Sequence, residues 1–132
     1  EWYQEIDKHE LWIIAKRNQV ETVIAKKLID SVSENYISAC WRIAYQNMEQ
    51  RISLYLNELD HISEVFAAES IPLIALKNVG IARGIHQYPG CSPMGDLDVL
   101  TRKQDFRSAH QILLNEGYYF KLMGFRGFAM LK

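Results

Sequence analysis

The feature that most constrains the fold is one long amphipathic run between Ser33 and Glu69. Its apolar side chains fall at Ile37, Trp41, Ala44, Met48, Ile52, Tyr55, Leu59, Ile62 and Phe66, in steps of three or four residues. Such steps average close to the α-helical repeat of about 3.6 and put all nine on one stripe. Arg42, Gln46, Glu49, Gln50, Asn57, Glu58 and Glu64 fill the other faces, so the helix has one wet side.

Upstream, Trp2 to Asp30 reads as two shorter helices that break near Arg17-Asn18-Gln19. The polar stretch Asp30-Ser31-Val32-Ser33 offers a turn and an N-cap for the long helix. After Ser70 the pattern changes. Ile71-Pro72-Leu73-Ile74-Ala75-Leu76 is a short apolar run opened by proline, the signature of a buried strand. A short helix over Asn78–Ile85, a loop through His86–Pro93 and a second strand over Leu97–Leu100 follow. Thr101-Arg102-Lys103-Gln104 matches a capping box. The helix after it carries Phe106, Ala109, Ile112, Leu113 and Leu114, and Gly117 supplies its stop. Tyr118–Leu122 reads as a third strand.

This order predicts an α+β fold, with a helical region over residues 1–69 and a small mixed β-sheet with helices over 70–132. Three strands make a thin sheet with an open edge, and the chain stops in apolar sequence at Ala129-Met130-Leu131-Lys132. The expectation is therefore a truncated domain.

Asp96 and Asp98 carry the clearest chemistry. Alternate residues of a strand share a face, so the two carboxylates project together while Leu97 and Val99 turn into the core. Paired carboxylates on one rigid edge suit hard cations such as Mg²⁺, which takes oxygen ligands and leaves room for substrate phosphates. In two-metal phosphoryl transfer the ions stand roughly 4 Å apart. Gly95, just before the pair, leaves space for a nucleotide to approach the backbone. Taken alone, Asp-x-Asp also describes an ordinary solvated strand end.

The neighbourhood adds to it. Ile71-Pro72-Leu73-Ile74-Ala75-Leu76-Lys77-Asn78, Tyr88-Pro89, Pro93-Met94-Gly95-Asp96-Leu97-Asp98-Val99-Leu100, Ala109, Leu113-Leu114 and Glu116-Gly117-Tyr118 occur in that order. Together they resemble the bacterial uncharacterised nucleotidyltransferase family, a branch of the polymerase-beta-like superfamily. The resemblance is close over residues 71–120 and looser over the helices before them. It implies a nucleotidyltransferase-like fold, with Asp96 and Asp98 as ligands to two Mg²⁺ ions. It also implies that the turn at Lys77, Asn78 and Gly80 faces the phosphates of an NTP, where a lysine meets phosphate as a compact point charge. The bland reading of Lys77 is a solvated residue closing a strand. The implied activity moves a nucleotidyl group from the NTP to an unidentified acceptor and releases pyrophosphate. The alternative is a catalytically inactive module of the same fold, acting in binding or regulation. A weaker third reading makes the helical half a platform for a partner.

Three departures bear on that choice. Asn78 stands where the family has glycine, although asparagine tolerates left-handed backbone. Ser92 stands where it has arginine, with Arg83 as a possible substitute. The superfamily's third carboxylate is not seen after Asp98, since Asp105 and Glu116 fall on the last helix or at its end and are expected to be solvated. Either the site is incomplete or, as is expected here, the sequence is cut before the strand that carries it.

Composition excludes other classes. Fifteen Lys and Arg against sixteen Asp and Glu leave a net charge of −1, which gives no general attraction to nucleic acid. No apolar run approaches the ~18 residues of a membrane span, and Glu1–Glu5 lacks a signal-peptide pattern, so a cytoplasmic protein is expected. Cys40 and Cys91 lack metal spacing and read as free thiols. His86 reads as a polar loop residue. The aromatic residues Tyr118, Tyr119, Phe120, Phe125 and Phe128 suit either a base pocket or a core.

Overall fold

The structure, a computed structural model, describes residues 6–85, 88–122 and 128–131. His86 and Phe125 therefore lie outside the described residues, as does the predicted helix start at Trp2. Helix α1 spans Lys8–Arg17, and Asp7 caps it by accepting from the amides of His9 at 2.8 Å and Glu10 at 3.0 Å. Helix α2 covers Glu21–Ser31, so the break falls where the sequence placed it. Gln19, at φ 57°, makes the turn between them. Its amide reaches Lys16 O and that of Val20 reaches Ala15 O, the paired bonds of a Schellman ending.

Helix α3 runs from Ala39 to Ala68, thirty residues. It starts six residues later than the pattern predicts, because Glu34–Tyr36 forms a 3₁₀ turn and Ile37 is extended. That step buries Ile37 against Trp41 and Tyr45 in the first of three apolar clusters. Seven residues of α3 are buried: Trp41, Tyr45, Ile52, Leu56, Leu59, Ile62 and Phe66. Tyr45 and Leu56 join the predicted stripe from the neighbouring row, which widens the dry face beyond a single line. A second Schellman ending follows, with Ser70 at φ 58° and Ile71 N bonded to Phe66 O at 2.9 Å. Phe66 and Ile71 pack in the same cluster.

The strand-bearing part is smaller than the sequence suggests. Strand β1 is Ile74–Ala75, because the first residues of the apolar run close α3 instead. Helix α4 spans Lys77–Gly84, and strand β2 is Val99–Leu100, antiparallel to β1 with Ile74 opposite Leu100. The bond from Leu76 N to Asp98 O, at 2.9 Å, extends that pairing by one step. Helix α5 spans Phe106–Asn115. Strands β3, Tyr119–Leu122, and β4, Phe128–Leu131, form a separate antiparallel pair. The fold is α+β, as expected. Among the described residues, however, its strands make two antiparallel ladders and not one mixed sheet.

The capping box does not form. Lys103–Asp105 is a 3₁₀ turn ahead of α5, and no side chain caps that helix. Arg102 instead holds Asp105 at 2.5 Å. Gly117 does end α5, at φ 88°, with Tyr118 N on Leu113 O in a third Schellman ending.

Candidate active site

The Asp96–Asp98 segment is suspended between α3 and α4. Gly95 and Asp96 form a bend and Leu97 and Asp98 are irregular chain ahead of β2, so the pair is not on the strand itself. Leu97 packs into the second and third clusters as expected, whereas Val99 is 36% exposed and does not enter the core. Two polar contacts fix the chain that leads into the pair. The Tyr55 hydroxyl on α3 donates to Gly95 O at 2.9 Å. The Asn78 side-chain amide on α4 donates to Pro93 O at 3.2 Å. Met94, between them, is buried among Ile52, Leu56 and Val79.

Lys77 completes the arrangement. Its ammonium lies 2.8 Å from Asp98 Oδ2, with the lysine side chain 72% exposed and that of Asp98 33%. This ion pair holds Lys77 above the usual lysine range, and the charge of Asp96 adds to the shift. The backbone of Lys77 is left-handed, at φ 49°. A left-handed lysine costs about 1–2 kcal/mol relative to its ordinary conformation. The special turn therefore sits one residue before Asn78, where the resemblance leads one to expect glycine. Asn78 leaves the left-handed role to Lys77 and uses its amide to hold the loop.

Gly80 has a steric reason to be glycine. A Cβ there would lie 2.9 Å from Ala75 O, so α4 packs on β1 only because that atom is missing. Its amide is bonded to Leu76 O at 3.3 Å. Gly95 has no such neighbour, since a Cβ there would come no closer than 3.9 Å, to Arg51 Nη2.

The two other acidic residues downstream are engaged and not simply solvated. Asp105 pairs with Arg102, and Glu116 lies 2.6 Å from His61 Nε2. Arg83, the possible substitute for the arginine missing at Ser92, has both its close contacts on Asp60, at 2.7 and 2.8 Å. Ser92 itself is 7% exposed, and its hydroxyl has no hydrogen-bond partner among the described residues. Cys40 and Cys91 are free thiols, and burial pushes that of Cys91 up from its ordinary pKa.

Two residues beside the bend escaped the sequence reading. Tyr55 entered it only as an apolar stripe position, and Arg51 did not enter it. They lie one turn apart on α3, with the Arg51 guanidinium 5.8 Å from the Tyr55 ring centre. Nothing in the spacing connects Tyr55 to a residue forty positions later.

Whether the pair suits a metal can be judged from the cation already beside it. Asp98 presents a carboxylate oxygen to the Lys77 ammonium, and Asp96, two residues earlier, is exposed at the same edge. All-oxygen donors are the hard ligands that Mg²⁺ prefers. In donor type the two carboxylates match a hard divalent ion. Among the described residues, no third His, Cys, Asp or Glu gathers with them in ligand geometry.

These features define the class: an α+β domain with a strand–turn–helix beside an Asp-x-Asp bend. A family model described as uncharacterised nucleotidyltransferase matches residues 4–123. The chain belongs to that family. No curated protein and no solved structure matches it. Among the described residues, no helix is long and apolar enough to cross a membrane.

Proposed function

We propose that the domain transfers a nucleotidyl group from an NTP to an acceptor, with Mg²⁺ held by Asp96 and Asp98. The observation that carries this reading is the Lys77–Asp98 ion pair at 2.8 Å, two residues from Asp96, in a chain that belongs to the nucleotidyltransferase family. Mg²⁺, when bound, neutralises phosphate charge and orients the α-phosphorus for in-line attack. Lys77 exchanges its carboxylate partner for a phosphate oxygen when the NTP arrives. Its left-handed backbone opens the first amides of α4, at Lys77, Asn78 and Val79, toward the same anion. Gly80 serves by letting α4 sit close to β1, and Gly95 by leaving the bend uncrowded. In the transfer, an acceptor oxygen or nitrogen bonds to the α-phosphorus. The bond from that phosphorus to its bridging oxygen breaks. Pyrophosphate leaves with the electron pair, and the acceptor's proton passes to solvent.

The test replaces both aspartates with asparagine, which keeps their size and removes their charge. Mn²⁺ binding by calorimetry should vanish while the thermal melt stays unchanged. Pyrophosphate release from the best NTP should fall roughly a thousandfold or more, the scale expected when metal stabilisation of a phosphoryl transfer is lost. An unaltered Mn²⁺ isotherm in the double variant would falsify the assignment.

A second reading keeps the fold as a non-catalytic module. It is favoured by the two-carboxylate count among the described residues. It predicts that NTP binds without pyrophosphate release under any metal, which the same assay measures.

A further inference from the structure

Two clefts of about 480 Å³ border α3, within the size range of small-molecule sites. They differ in what their cations do. In the first, Lys26 is paired with Asp30 and Arg42 with Glu34. In the second, formed by α1, α2 and α3, Lys16 and Arg51 line the wall and neither forms an ion pair among the described residues. Glu21 shares that rim without pairing with either. Their near neighbours are aromatic faces: Lys16 Nζ lies 5.5 Å from the Trp12 ring centre, and Arg51 lies over Tyr55. Two unpaired cations against the single carboxylate of Glu21 leave the cleft lining net positive, which favours an anion there, because a guanidinium pairs with phosphate or carboxylate in a fork geometry.

Arg51 also links this cleft to the aspartates. Its Nη2 is the nearest atom to a Cβ built on Gly95, and Gly95 directly precedes Asp96. Tyr55, one turn further along α3, holds the Gly95 carbonyl. The cleft wall and the metal-side bend therefore share a residue. The remaining wall mixes Trp12, Ala44 and Met48 with the polar groups of Thr22 and Asn47.

We propose that this cleft is the acceptor site. It takes a small molecule whose phosphate or carboxylate meets Arg51 and Lys16 and whose apolar or aromatic body lies against Trp12 and Met48. The anion site stands by itself, whereas its assignment to the acceptor rests on the nucleotidyl-transfer reading.

The test titrates the ¹⁵N-labelled full chain with phenyl phosphate and, separately, with benzoate. Saturable shifts should appear at the Trp12 indole N–H, the Asn47 side-chain amide and the Arg51 Nε–H. Arg51→Gln should weaken the tighter probe about tenfold or more, the scale of one charged hydrogen bond, and Lys16→Gln by less. Arg17→Gln, exposed and outside the cleft, should leave binding unchanged. The tighter probe names the anionic group. Equal affinity in wild type and Arg51→Gln, or shifts centred on Lys77–Val79, overturns the cleft. Mn²⁺ alone reads the metal site separately, through broadening of the Gly95–Asp98 amides. Broadening without anion binding overturns only the cleft, and anion binding without broadening overturns the acceptor assignment along with the transfer reading.

Discussion

The helical half and the strand-bearing half of this molecule are stabilised in different ways. In the helical half, Ala15, Ala25, Leu28 and Trp41 are fully buried in one cluster, and Trp41 stacks edge-on to Trp12 at 4.7 Å. In the other half, β1 and β2 have two residues each, and Ile74 and Leu100, opposite each other, are 57% and 51% exposed. Two-stranded ladders this short are marginal without support. The support comes from α3. Tyr55 holds Gly95, Glu58 accepts from Tyr118, Asp60 holds Arg83 and His61 meets Glu116. The lesson is that the aspartates sit on the weaker part of the fold and owe their position to polar groups on the stronger one.

That contrast can be broken most forcefully in the core. Trp41→Ala removes a fully buried ring and should cost about 3–5 kcal/mol in chemical denaturation. If the site depends on α3, Mn²⁺ affinity should fall along with the helical circular dichroism signal, although Trp41 lies in a different cluster from Met94 and Leu97, which flank Asp96. Gly80→Ala probes the other half, since its new Cβ would press on Ala75 O. Overpacking of this kind costs about 1–3 kcal/mol. Here metal binding should weaken while the helical signal persists, and an unchanged melt would mean that α4 can move away from β1. The smallest effect is a gain. Ser70→Gly removes a side chain from a left-handed position at the end of α3 and should add about 1 kcal/mol, read as a higher melting temperature.

How much of this could be read in the chain follows from where each signal is local. The break between α1 and α2, the stripe along α3 and the stop at Gly117 depend on neighbours within one helical turn, and the residues there announce them. The short strands do not, because Ile71 is drawn into closing α3 and Leu76 bonds to Asp98, leaving two residues of a six-residue apolar run for β1. The Asp96–Asp98 pair was legible as a motif, and the placement of Lys77 beside it follows the same turn. The left-handed residue was not: Asn78 suits that backbone better by type, yet its amide is committed to Pro93, a partner fifteen residues away. Tyr55 and Arg51 were hidden for the same reason, since their roles exist only after α3 has packed against the bend.

Helix α3 has one more consequence. Its thirty residues extend about 45 Å, and the three apolar clusters are threaded along it in order, from Trp41 and Tyr45 through Ile52, Leu56 and Leu59 to Ile62 and Phe66. No cluster can be exposed without uncovering part of the same helix, and a helix is itself cooperative. The amides at the middle of α3 should therefore exchange with solvent only when the whole molecule opens, while those of β1 and β2 exchange by local fraying. The site then breathes against a wall that stays still.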